Sequence, residues 1–283
     1  MPAVRLLAIF ILFAFSGNEA LAQQLPIWEQ VWIPTKEKEL FGRESDVRLD
    51  AALYQPQGTA PYPLVIWNHG STGGDASFAK VSARAPHIAT FFLSRGFAML
   101  VPMRRGRGSS GGYDGETDGG SCDFGRSMAG IERAMADIDA ALAYAKTREN
   151  LDTSRLVIGG ISRGGLLSVA YTARRPELRV LAVVNFSGGW TGDRCASDTN
   201  GALLQSGGAK NVPMIFLYGG RDATYSDESI RRYAAGFEKS GGILEFQLIK
   251  NELRNGHFLS SEPKLWLPLI TPFFEKLGYP RKF

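Results

Sequence analysis

One short run has the residue types and spacing for covalent chemistry: Gly160-Ile161-Ser162-Arg163-Gly164. A serine in this pattern can stand on a sharp turn between a strand and a helix. Its oxygen is then exposed near the positive end of the helix, and the flanking glycines let the backbone pass close to its neighbours. The hydroxyl is a poor nucleophile until an adjacent base takes its proton. The pattern alone decides little, because Gly108-Ser109-Ser110-Gly111-Gly112 carries it too. Context separates them. Ser162 directly follows Leu156-Val157-Ile158 and opens an apolar helix, whereas Ser110 sits in a loop that continues Tyr113-Asp114-Gly115. Ser162 is the candidate nucleophile.

The chain has three histidines, His69, His87 and His257. Where a serine stands on such a turn, its partners follow it in the order serine, acid, histidine. Only His257 lies downstream, in a loop after the last apolar strand. His69 reads as a packing and hydrogen-bonding residue. The candidate acid is Asp222, which follows Met214–Leu217 through Tyr218-Gly219-Gly220-Arg221. That places it at a strand's carboxyl end, where open parallel sheets put their sites. Asp193 is its rival. A developing oxyanion also needs N–H donors. The candidates are the backbone N–H of Arg163 and that of Ser71, in the loop Asn68 to Gly74. Trp190 is a candidate to line the pocket. The cluster Arg104, Arg105 and Arg107 falls near the mouth and is expected to brace loops rather than to hold substrate.

These residues need a frame. Pro63–Trp67, Phe97–Val101, Leu156–Ile158, Val180–Val184 and Met214–Leu217 are apolar throughout, as strands buried on both faces are. Leu244–Ile249 is a further strand. Helical periodicity falls at about 82–94, 126–147, 164–174, 228–239 and 265–277. Strand and helix thus alternate, which implies one α/β domain with a mainly parallel sheet and helices on both faces. Two strands at the start lack an intervening helix and should pair antiparallel. The connection from Val184 to Val212 has no strong helical pattern, so a lid should be minimal or absent.

The first 22 residues read as a signal peptide. Arg5 precedes an apolar run from Leu6 to Phe15, and Ala20-Leu21-Ala22 is a small-x-small cleavage site. The run is too short to span a bilayer. Export to the periplasm or medium and a soluble mature protein, residues 23–283, are the expectation. The even pair Cys122 and Cys195 then invites a disulfide closing a ring of about 70 residues. A net charge of +4 with acids interleaved does not resemble a nucleic-acid footprint.

Together, His69-Gly70-Ser71, Arg105 to Gly111, the Ser162 turn, Gly219 to Asp222 and Gly256-His257 resemble the α/β-hydrolase superfamily. The similarity is to its dienelactone-hydrolase-like and prolyl-oligopeptidase-like branch and covers roughly Val47 to Gly278. Dienelactone hydrolases proper carry a cysteine where this chain has Ser162, which leans toward esters. The resemblance implies a serine hydrolase that cleaves small-molecule or polymeric carboxylic esters through an acyl-enzyme, exported if the N-terminal segment is a signal peptide. It implies Ser162, Asp222 and His257 as the catalytic triad and no metal, cofactor or nucleic-acid partner. The alternatives are a serine peptidase with the same machinery and a non-catalytic binding protein on the same fold.

Overall fold

The computed structural model describes residues 25–38, 43–71, 80–116, 122–195, 198–250 and 253–282. Residues 1–22, expected to be a signal peptide, and Thr72 to Gly74 lie outside them. Among the described residues, eight strands form one sheet. They are β1 (Trp28–Lys38), β2 (Glu44–Tyr54), β3 (Tyr62–Asn68), β4 (Ala98–Pro102), β5 (Leu151–Ile161), β6 (Val180–Phe186), β7 (Met214–Gly219) and β8 (Leu244–Ile249). The order across the sheet is β1-β2-β4-β3-β5-β6-β7-β8. β1, β2 and β4 pair antiparallel, and every other pairing is parallel.

The apolar strands are continuous because both faces are covered. Leu64, Ile66, Leu100, Ile158, Val183 and Phe216 point to one side. There they meet α2 (Phe124–Lys146), α3 (Arg163–Arg174), α4 (Thr199–Gly208) and α5 (Asp227–Lys239). Val65, Trp67, Met99, Val157, Val184 and Leu217 point to the other. Here α1 (Pro86–Leu93) and α6 (Pro263–Lys276) supply Phe91, Phe92, Trp266 and Phe274, packed edge to face.

Two elements differ from the sequence expectation. The first helix begins at Pro86, not at Ser82. Ala85 takes a left-handed φ of 49°, and a residue before proline is steered out of the helical region. Ser82 instead donates to the buried Asp50 carboxylate at 2.5 Å. The connection between β6 and β7 does contain a helix, α4. Its glycines hide the apolar period, yet Gly207 lets it approach Val169 and Phe237 more closely than a side chain would allow. This helix belongs to the outer layer with α3 and α5.

The two cysteines are bonded to each other, Cα to Cα 4.9 Å. The bond joins the residue before the α2 cap to the loop after β6 and closes a ring with a sequence separation of 73. Loop-closure entropy values such a ring at roughly 4 kcal/mol. Reduction, or Cys122→Ser, is therefore expected to lower the melting temperature by roughly 10 °C. Superimposable melting curves with and without reductant would contradict this.

Candidate active site

β5 hands the chain to α3 through a single residue, Ser162. Its φ of 55° and ψ of −124° are disallowed for most side chains. Four hydrogen bonds hold it there. Its N–H donates to Phe186 O at 2.8 Å, and its carbonyl accepts from the N–H groups of Gly165, Leu166 and Gly189. A side chain at Gly160 or Gly164 would overlap the Asn68 carbonyl, so the glycines allow β3 to run against the turn.

The acid and the histidine come from two loops on the same edge of the sheet. Asp222 follows β7, and its side chain is fully buried. One carboxylate oxygen accepts from the N–H groups of Thr224 and Tyr225 at 2.7 and 3.2 Å. The other lies 2.8 Å from His257 Nδ1. A carboxylate here can only accept, so Nδ1 carries the proton and Nε2 keeps its lone pair. His257 and Ser162 line one pocket of about 650 Å³, together with Ser71, Arg163 and Trp190. The rest of its wall is mostly apolar, including Val81, Ala83, Met103, Tyr225 and Phe258.

A family model for dienelactone hydrolases matches residues 49–252. The chain belongs to the dienelactone hydrolase family. Among curated proteins, the quorum-quenching protein AidA of Acinetobacter baumannii is 30% identical over 141 residues. That match covers 50% of this chain and 40% of the relative, so the chain aligns with less than half of that protein's length. Among solved structures, an esterase of Pyrococcus furiosus superposes with a TM-score of 0.62 at 17% identity, over 89% of this chain and 91% of the other. An acylaminoacyl peptidase gives 0.60 at 12% identity, over 90% of this chain but 42% of its own. These superpositions show a shared fold.

In this dienelactone hydrolase family member, the other sequence candidates lie apart from the Asp222–His257 contact. Ser110 is buried, donates to Met103 O and accepts from the N–H of Asp50, both at 2.8 Å. Asp193 accepts from Ser226 N–H at 2.6 Å in a neighbouring polar cleft. His87 lies in the first turn of α1, in a groove against α6. His69 is buried behind the Gly70 loop. Its Nδ1 lies 2.6 Å from Gly70 O, and its Nε2 accepts from the N–H of Arg104 at 3.1 Å. Burial, joined by the Arg104 charge, pushes its pKa down to about 3, so it is neutral. Among the described residues, no group of three or more His, Cys, Asp or Glu could hold a metal ion.

The arginine cluster is internal. Arg104 pairs with Glu116 and donates to the carbonyls of His69 and Gly70 at 2.8 and 3.3 Å. Arg105 grips Asp137 at 2.6 Å, and Arg107 pairs with Asp114 at 2.9 Å. Two residues that the sequence left unmarked matter here. Asn255 Oδ1 accepts from Ala223 N–H and from His257 N–H, both at 3.0 Å, and so clasps the acid loop to the histidine loop. Its place two residues before His257, as an Asx turn opening the last loop, was the available signal. Glu116 sits between Arg104 and Arg163. No local pattern marked it.

The neutral His69 predicts acid sensitivity. The unfolded chain takes up its proton near pH 6.5, whereas the folded one does so only near pH 3. Folding stability is therefore lost as pH falls through 6.5. Between pH 7.5 and pH 5 the native protein should lose about 2 kcal/mol more than His69→Gln does, measured by urea unfolding. An equal pH slope in the variant would show that His69 is protonated in the folded state.

Proposed function

We propose that this protein is a serine hydrolase that cleaves carboxylic esters through an acyl-enzyme. The observation that carries the reading is the 2.8 Å contact of His257 Nδ1 with Asp222, which leaves Nε2 as the base in the pocket that Ser162 also lines. In the first step His257 takes the Ser162 proton as Oγ attacks the substrate carbonyl. The backbone N–H groups of Arg163 and Ser71 stabilise the oxyanion, reinforced by the α3 dipole. His257 then gives the proton to the leaving alcohol. A water, deprotonated by the same histidine, releases the acid and frees Ser162. Asp222 holds the imidazole in the productive tautomer and stabilises its cation. Trp190 lines the same pocket and borders the substrate.

The likeness to an esterase at low identity and the family membership agree with this chemistry without specifying it. We also propose export, with residues 1–22 removed as a signal peptide. The apolar run before Ala22 and the disulfide support this. Among the described residues no helix is long and apolar enough to cross a membrane.

A fluorophosphonate probe should label the native protein once, at Ser162. Ser162→Ala should abolish both label and ester turnover, and Asp222→Asn should lower kcat by roughly 10⁴. Label that persists in Ser162→Ala would overturn the assignment. Faster turnover of peptide amides than of matched p-nitrophenyl esters would favour a peptidase instead.

A further inference from the structure

We infer that the pocket selects uncharged esters, because the Glu116 carboxylate neutralises the guanidinium groups that border the site. The inference rests on the hydrolase reading above. Among the described residues lining the pocket, Arg163 is the one guanidinium or ammonium group. It is buried and is paired with the Glu116 carboxylate. Nε donates to Trp190 O at 3.3 Å, Nη1 donates to Glu116 O at 3.1 Å, and Nη1 lies 3.6 Å from the Glu116 carboxylate. The guanidinium plane also covers the Trp190 ring at 4.9 Å. Arg104 stands behind the Gly70 loop, 2% exposed, and is engaged by the same carboxylate and by two carbonyls.

The remaining ionisable groups add no positive charge to the wall. His69 is neutral and both its ring nitrogens are used. His257 is spoken for by Asp222, whose buried negative charge lies just behind it. Arg105 and Arg107 are each buried against their own carboxylates. Segments 72–79 and 117–121, outside the described residues, contain Asp75 and Asp118 and no lysine or arginine. Lys80 and Arg194 are exposed and are not part of the wall.

Glu116 itself is ionised. Burial pushes its carboxyl up, but Arg104 beside it, with Arg163, outweighs that and holds it at about 2. The guanidinium pair and the Glu116 and Asp222 carboxylates therefore balance around the site. A substrate carboxylate entering this wall would lose hydration and meet only a guanidinium already paired with Glu116. Val81, Ala83, Met103 and Phe258 offer an apolar acyl chain the opposite exchange.

The test compares 4-nitrophenyl heptanoate with 4-nitrophenyl hemipimelate, which differ by a terminal methyl against a carboxylate at equal chain length. At pH 7.5 kcat/KM should favour the neutral ester by about a hundredfold. Equal rates, or a preference for the anion, would overturn the inference while leaving the hydrolase reading intact. Failure to turn over either ester, with no fluorophosphonate label, would strike the hydrolase reading instead. Glu116→Gln removes the neutralising charge and should narrow the ratio at least tenfold, through a lower KM for the anionic ester. A labelled Glu116→Gln protein with an unchanged ratio would refute the role given to Glu116. If that variant does not fold, Val81→Arg supplies a wall cation directly and should also raise kcat/KM for the anion; no rise would refute the charge argument.

Discussion

The left-handed turn at Ser162 is the constraint around which the rest is arranged. A non-glycine residue at φ 55° costs on the order of 1–3 kcal/mol and persists only where its surroundings over-determine it. Here they do. β6 accepts the serine N–H, the first turn of α3 and the Gly188-Gly189 loop donate to its carbonyl, and β3 crowds in through Gly160 and Gly164. The turn is thus held by two neighbouring strands, a loop and a helix at once. That is why the sheet must be parallel at this point, with its loops collected on one edge.

Around the turn, charge is handled by burial in pairs. Arg104, Arg105, Arg107 and Arg163 are all buried, and each is matched to a carboxylate brought from elsewhere in the chain. Removing one partner of such a pair leaves an uncompensated charge, which is severely destabilising. The pairs therefore fix loops as firmly as packing does. Arg104 ties Glu116 to the carbonyls of His69 and Gly70, and Glu116 ties in Arg163. Both expected oxyanion donors, Ser71 and Arg163, sit next to this network. The disulfide secures its far side, since Cys122 follows the Glu116 segment and Cys195 follows the Trp190 loop.

Much of this was legible in the residues. The alternation of apolar runs with helical periods placed the strands, because a strand covered on both faces has no polar side to show. The Ser162 turn could be told from Ser110 by its strand before and helix after. Asp222 and His257 followed from chain order, and their contact is in the structure. α4 was missed because its stability comes from close packing through glycine, which leaves no amphipathic stripe. The start of α1 was misplaced because a turn at Ala85 and a side-chain bond from Ser82 to Asp50 compete with the helix there.

What the sequence determined by itself is therefore the order of the chemistry along the chain: a serine on a turn, then an acid, then a histidine, on an α/β frame with one cysteine pair. Those are local patterns and orderings, and local physics enforces them. The tertiary structure alone decided which carboxylate each arginine meets, that His69 is neutral, and that Arg163 in the pocket wall is paired with Glu116. Each depends on buried groups from separate loops brought within a few ångströms of one another. In such a site burial and partner set the charge, and neither can be read from one stretch of residues.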